Sequence, residues 1–374
     1  MKSIIRYLFF LSIYFSIISC KNNGPSVLLQ DKVIQTIELS DTSDVFIIPV
    51  KSAEPLKSIV SIDYIDDYLF MLSSDKKTLY CVQNDTVISK LEKVGRGPGE
   101  YKAIELFSYS EIDSMLYIYT SDVRLLKYKG PDFSFVEGFS KIPTIQSIRV
   151  VDKSNLFVSY STLDCDDAGL ALMSSETGKI NKKLNSFDEY VNMYFSNQKN
   201  FCKCEGKIIF PIVGYNSFSI NRFENGSVDN IKVFSYDKKW KTPKKIRVED
   251  YSDINQFLIY NDYILKENRC MGCYYPLIYG DKICFWSYYI NKGVVYDYIL
   301  NEYDGQEVRR YRINIPGLLN SLRPSCVLNG RYAKLFQTPK ENLIDNKVQL
   351  SPLGQRIIDI TEKQNGNPII ILFF

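Results

Sequence analysis

The feature that most constrains the fold is a recurrence. From Ser58 onward a run of apolar and aromatic residues, a polar turn and another such run return about every 40 to 50 residues. The centres are Leu69-Phe70-Met71-Leu72, Leu116-Tyr117-Ile118-Tyr119, Leu156-Phe157-Val158, Ile208-Ile209-Phe210, Ile283-Cys284-Phe285-Trp286 and Tyr332-Ala333-Lys334-Leu335-Phe336, with one longer gap before Ile283. That period is the length of a four-stranded propeller blade, so six centres predict a six-bladed, all-β propeller. Further hairpins are marked by turns at Thr177-Gly178, Glu224-Asn225-Gly226 and Tyr303-Asp304-Gly305, flanked by β-branched and aromatic residues. Aromatics at 14% of the chain, with 28 tyrosines, suit strands better than helices.

Helical periodicity is weak except in the long gap. There Ser252 can cap a helix carrying Ile254, Phe257, Leu258 and Leu265 toward one side. This predicts a small helical insertion at about residues 240–270, between blades four and five. The basic run Lys238 to Lys245 before it reads as a solvated loop, partly neutralised by Glu249, Asp250 and Asp253. Sheet edges invite aggregation, and a propeller removes them by closing. The expected closure pairs Val33 to Leu39 or Val45 to Val50 with Ile369 to Phe373 in one blade.

The first residues read as an export signal. Lys2 and Arg6 form a basic region, Tyr7 to Ile18 an apolar one, and Ile17-Ile18-Ser19-Cys20 resembles a lipobox. A dozen or so apolar residues is short of the roughly 20 a spanning helix needs. The expected organisation is a signal peptide over 1–19, a tether over 20–32 beginning at a lipidated Cys20, and the propeller over 33–374. The membrane contact is then a covalent anchor, and the address an exported one in the cell envelope, at the outer membrane. Lys21-Asn22-Asn23 leaves periplasmic and surface facing both open.

Between the first two units lies Gly95-Arg96-Gly97-Pro98-Gly99-Glu100-Tyr101. Three glycines permit positive φ and close backbone approach, and Pro98 fixes its own φ, so this is a shaped inter-blade turn. Glu100 can accept hydrogen bonds from the turn's own N–H groups, and Arg96 can pair with it or face a ligand. The Lys-Ser/Thr of a phosphate-binding P-loop is missing, and no long amphipathic helix follows. The heptad, behind a lipoprotein-type signal and between alternating strands, resembles the GxGPGEY signature of six-bladed β-propeller lipoproteins of Bacteroidota. The ending Asn367-Pro368-Ile369-Ile370-Ile371-Leu372 is of the kind seen in that family. The resemblance implies a fold and an address, and no catalytic residue is carried over by it. Gly95, Gly97, Pro98 and Gly99 are thus expected to shape the turn, and Arg96, Glu100 and Tyr101 are the candidates for ligand contact.

The side-chain inventory narrows the chemistry. There is no histidine, which removes Ser-His-Asp and Cys-His catalysis and denies zinc its imidazole ligands. The 46 basic and 43 acidic residues are nearly balanced, without the basic stripe of nucleic-acid binders. Asp164-Cys165-Asp166-Asp167 lacks the glycine and terminal glutamate of an EF-hand and reads as a solvated turn. Cys202-x-Cys204 with Cys270-x-x-Cys273 offers four thiolates, but the separation of the pairs is long for a compact zinc module. A disulfide joining or closing these segments is favoured over zinc by the oxidising compartment. No metal and no cofactor is expected, and Cys81 and Cys284 read as buried thiols.

The leading functional expectation is a lipid-anchored binding or interaction module for a glycan, a peptide or an envelope protein. A histidine-free enzyme, such as a calcium-dependent lactonase-like hydrolase or a polysaccharide-active enzyme, is one alternative. A structural subunit of an envelope complex is another.

Overall fold

The computed structural model describes residues 26–29, 34–65, 67–110, 112–161, 168–186, 201–204, 206–213, 217–236, 269–291, 294–318, 322–328, 330–337, 344–345, 348–364 and 367–373. Three short strands come first: β1 (Val27–Leu29), β2 (Gln35–Glu38) and β3 (Val45–Pro49). Blade 1 is β4 (Ile59–Ile65), β5 (Tyr68–Ser73), β6 (Leu79–Gln83) and β7 (Thr86–Leu91). Blade 2 is β8 (Ile104–Ser110), β9 (Met115–Thr120), β10 (Leu125–Lys129) and β11 (Ser134–Phe139). Blade 3 is β12 (Thr144–Val150), β13 (Asn155–Ser161), β14 (Ala168–Ser174) and β15 (Ile180–Ser186). Blade 4 is β16 (Cys202–Cys204), β17 (Lys207–Val213), β18 (Ser217–Glu224) and β19 (Ser227–Tyr236). Blade 5 is β20 (Arg269–Tyr279), β21 (Lys282–Asn291), β22 (Val294–Tyr303) and β23 (Val308–Asn314). Blade 6 takes β24 (Cys326–Leu328), β25 (Arg331–Phe336) and β26 (Ile369–Phe373) from the C-terminal part and β3 from the N-terminal part. The fold is the expected six-bladed β-propeller.

All six apolar centres read from the sequence are the second strand of their blade, for a physical reason. Side chains alternate across a strand, and a blade is covered on both faces by its neighbours. On β5, Phe70 and Leu72 pack toward blade 2 while Leu69 and Met71 pack toward blade 6. On β9, Leu116 and Ile118 face blade 1 while Tyr117 and Tyr119 face blade 3. Phe157 of β13 stacks on Phe201 and Phe223 across the joint with blade 4, at ring separations of 4.7 and 4.5 Å. Such strands are apolar throughout. Outer strands are solvated on one side, and β11 alternates exposed and half-buried residues along its length.

The ring closes through Val45–Pro49, whose five residues pair antiparallel with Ile369–Phe373. The rest of the N-terminal segment strengthens the same arc. β1 adds to the outer edge of blade 4, parallel to Phe234–Tyr236, and β2 adds to the outer edge of blade 5, parallel to Tyr311–Asn314. The segment from Val27 to Pro49 therefore straps the outer edges of three successive blades. Residues 27–29, read from sequence as part of the tether, are a strand here. Three apolar residues carry too little pattern to announce it; the unpaired edge of β19 supplies the partner.

One helix that the sequence reading did not anticipate is present. The expected insertion at residues 240–270 falls almost wholly outside the described residues. The described helix, α1 (Pro352–Lys363), is an insertion in blade 6 between β25 and β26. Ser351 caps it by accepting the Gly354 N–H at 3.1 Å, and Pro352 occupies its first turn. Leu353, Ile357 and Ile358 are buried against the core shared by blades 5 and 6, about 1.5–3 kcal/mol each on transfer from water. The Leu353 N–H donates to Ser40 O at 3.0 Å, which locks the helix to the strap.

Candidate functional site

Two places stand out as candidates for a site, the glycine turn and one end of the central channel. The turn links β7 of blade 1 to β8 of blade 2. Its backbone is internally bonded, Gly95 N–H to Tyr101 O at 3.0 Å and Glu100 N–H to Gly97 O at 3.0 Å. The Glu100 carboxylate accepts the Gly97 N–H at 2.7 Å. Gly99 has φ +70° and an added Cβ would meet the Phe135 ring at 2.5 Å. At Gly95 the conflict is with Glu100 itself, whose Oε2 would lie 2.0 Å from a Cβ. Gly97 does not have positive φ, and its Cβ would approach the same carboxylate at 3.1 Å.

Of the three residues considered for ligand contact, Tyr101 is enclosed. Its hydroxyl bonds Lys77 O at 2.9 Å and Leu91 O at 3.1 Å, and burial pushes the phenol up to about 12. Glu100 is engaged by its own turn, and its carbonyl takes an N–H from Arg124 at 2.8 Å. Tyr128 donates to Gly99 O at 2.5 Å. Arg96 is exposed and pairs with none of the described residues. Pro98 is exposed as well. The heptad is a joint between blades 1 and 2.

The channel end is different. The first strand of each blade lies innermost, with β8 against β12 and β24 against β4. At the N-terminal ends of these strands opens a cavity of about 440 Å³. Blade 1 contributes Val60, Ser61, Leu72 and Lys76, and blade 2 contributes Glu105. Blade 5 contributes Tyr275, and blade 6 contributes Arg323, Pro324, Ser325 and Lys334. Toward the C-terminal ends of the inner strands a half-buried ion pair joins Asp63 of β4 to Arg149 of β12, with Arg149 also donating to Phe201 O at 2.8 Å.

Within the cavity the charges are unevenly matched. Lys76 meets Glu105 at 2.5 Å. Arg323 is held on Tyr298, donating to its hydroxyl at 2.7 Å with the guanidinium 4.6 Å from the ring centre. Tyr275 donates to Ser325 O at 3.1 Å, and burial pushes its phenol up. Lys334 has no hydrogen bond or ion pair among the described residues, and its ammonium lies 5.8 Å from the Phe336 ring centre. Burial, and then the charge of Arg323, pull its pKa down to about 8. Lys57, on the outer rim, shows the opposite balance: bonded to Glu92 at 2.7 Å and Asp75 at 3.3 Å, its pKa is raised.

None of the four cavity residues Lys76, Tyr275, Arg323 and Lys334 belongs to a motif, because each comes from a different stretch of chain. One signal was available: Lys334 is a cation in the middle of the otherwise apolar run Tyr332–Phe336. The cysteines correct another expectation. No disulfide joins any two of Cys202, Cys204 and Cys273; the side chain of Cys270 lies outside the described residues. Burial holds the Cys202 thiol at about 12 and Cys273 well above its usual value, which disfavours the thiolate that oxidation and metal binding both need. Cys81 and Cys284 are free as well, raised to about 12 and about 11 by burial. Among the described residues no group of three or more Cys, Asp or Glu side chains is placed to hold a metal. Asp164 to Asp167 and the basic run at residues 238–245 lie outside them.

A family model described as 6-bladed beta-propeller, DUF5128, matches residues 19–317. None of the curated proteins matches the chain. Among solved structures, a Bacteroides fragilis protein whose name describes it as exported is similar with a TM-score of 0.66 at 12% identity, over 93% of this chain and 98% of that one. A member of the DUF4221 family from Bacteroides vulgatus aligns with a TM-score of 0.44 at 11% identity, over 92% and 99%.

Proposed function

Since the chain belongs to the DUF5128 six-bladed β-propeller family, we propose that it is an exported, lipid-anchored binding module whose ligand seat is the cavity at the channel end. The observation that carries this reading is the cavity itself. Its walls bring polar and apolar side chains from four blades to one concave place, the form that small-molecule seats take. Its volume lies within the range of about 300–1,000 Å³ usual for such sites. The glycine turn is a joint between blades in this reading, and the ligand is a glycan or a peptide end small enough to enter the channel.

Export and anchoring are supported by the basic and apolar regions before Cys20 and by the lipobox-like Ile17-Ile18-Ser19-Cys20. The similar Bacteroides fragilis structure bears the name of an exported protein. Cys20 is the acylated residue in this reading, and the lipid it carries is the membrane contact.

The test is a ligand screen on the full chain in detergent, using a defined panel of mono- and disaccharides and short peptides read by saturation-transfer NMR. Val60 is half exposed at the cavity wall, so Val60→Trp narrows the seat while leaving the blade cores alone. Binding that disappears in a folded Val60→Trp protein supports the seat. Binding that survives it unchanged places the ligand elsewhere and overturns the reading.

A further inference from the structure

We propose that the seat is an oxyanion site, in which the carboxylate, sulfate or phosphate of a small organic solute lies between the Lys334 ammonium and the Arg323 guanidinium. This rests on reading the channel end as the ligand seat, and it adds the charge and the two residues that recognise it.

The argument begins with the charge balance. Three cations and one carboxylate line the cavity, and the carboxylate of Glu105 is already matched by Lys76 at 2.5 Å. That leaves Lys334 and Arg323 facing the same space with no anion among the described residues between them. Two like charges in a partly desolvated place repel, and the lowered basicity of Lys334 records both the burial and the repulsion. A chain that holds such a pair has a place where an external anion is stabilised from both sides.

Geometry points the same way. Tyr298 fixes Arg323 from one side, taking one N–H of the guanidinium and supporting its plane. Among the described residues the rest of the fork has no partner and suits a planar, bidentate one such as a carboxylate, which is what guanidinium groups match best. Lys334 adds a compact charge beside it. Val60, Leu72 and Pro324 give the rest of the wall an apolar part, beside Ser61 and Ser325, that suits the uncharged body of the solute. An inorganic ion would leave that wall uncovered.

Protonation gives the site a signature. Burial raises the Tyr275 phenol, which is bonded to Ser325 O, and Lys76 is ion-paired to Glu105. Lys334 is then the group facing the seat that titrates between pH 7 and 9. An oxyanion favours its protonated form, so affinity rises as pH falls through that window, and binding at pH 8.5 takes up protons.

The test is calorimetric titration of the full chain in detergent with glucuronate, glucose 6-phosphate, glucose 6-sulfate and inorganic phosphate, with methyl glucoside as the neutral control. The three charged sugars separate the sources of the oxyanion, and inorganic phosphate tests whether the apolar wall contributes. The expected result is that at least one charged sugar binds ten-fold or more tighter than methyl glucoside, tightens from pH 9 to pH 7, and loses ten-fold or more in Lys334→Met and in Arg323→Gln. Lys334→Met removes a buried charge, so it folds, and Lys334→Arg restores part of the affinity. Charged sugars that bind no better than methyl glucoside would overturn the anion assignment while leaving the seat intact if both are lost in Val60→Trp. Tight anion binding that is unchanged in Lys334→Met would overturn it as well.

Discussion

Phe373 lies directly opposite Val45 in antiparallel register, so residues from the two ends of the propeller share one blade. Their neighbours make the joint a core: Ile371 is fully buried between Ile47 and Lys334 of the flanking strands. Asn367 adds a polar latch, its side-chain oxygen accepting the Leu56 N–H at 3.0 Å where the chain leaves blade 6 for blade 1. Closure of this kind covers the outer edge of β26 and supplies the fourth strand of the blade.

Deleting residues 367–374 is therefore expected to unfold or aggregate the whole domain, and Ile371→Ala to cost about 2–5 kcal/mol. Size-exclusion chromatography and thermal melting check both. A truncated protein that melts like the full chain would contradict the closure.

The glycine turn predicts a contrast within one heptad. Gly99→Val combines an unfavourable positive φ with a clash on Phe135, and is expected to cost at least about 1–3 kcal/mol. Gly95→Ala displaces the Glu100 carboxylate and leaves the Gly97 N–H without it, a loss of about 1–3 kcal/mol. Arg96→Ala touches no partner and should stay within about 0.5 kcal/mol. Denaturant unfolding of the three variants reads the order directly.

How much of this was legible in the sequence follows from how each residue is surrounded. Second strands such as Leu116–Tyr119 are covered on both faces, so their apolar runs stand out and gave the blade count. The strand β1 and the helix α1 were missed for opposite reasons. Val27–Leu29 is too short to show a period, whereas Ser351-Pro352 followed by Leu353, Ile357 and Ile358 does carry a cap and a helical stripe, overshadowed by the longer gap before blade 5. The cavity was not legible at all, because Lys76, Glu105, Tyr275, Arg323 and Lys334 meet only once the ring is closed. Only Lys334, a charge in an apolar run, hinted at a place that is neither surface nor plain core.

Lys334 also gives a prediction in stability. Its pKa falls from 10.5 to about 8 on folding, so the folded state binds that proton less readily than the unfolded chain. Stability accordingly rises with pH between about 8 and 10.5, and below pH 8 the buried ammonium costs about 3 kcal/mol. Lys334→Met is expected to melt higher than the natural protein at pH 7 and to lose that advantage by pH 10.5. Equal melting temperatures at pH 7 would show that the ammonium is not desolvated.

A buried hydroxyl provides an independent check on the joint between blades 1 and 2. Tyr101→Phe removes the one O–H shared by the Lys77 and Leu91 carbonyls and the acceptor of the Lys93 N–H, at a cost of about 1–3 kcal/mol, with no change in any ligand affinity. A loss of ligand binding in a folded Tyr101→Phe protein would instead return the turn to the site.

The most direct measurement of where this propeller binds is hydrogen–deuterium exchange of the full chain with and without a bound member of the saccharide panel. The account predicts slowed exchange along the cavity walls, in Ile59–Ile65, Ile104–Ser110 and residues 322–328, with the outer strands Thr86–Leu91 and Ser134–Phe139 unchanged. Protection confined to those outer strands or to the turn at Gly95–Tyr101, with the inner strands unaffected, would contradict it.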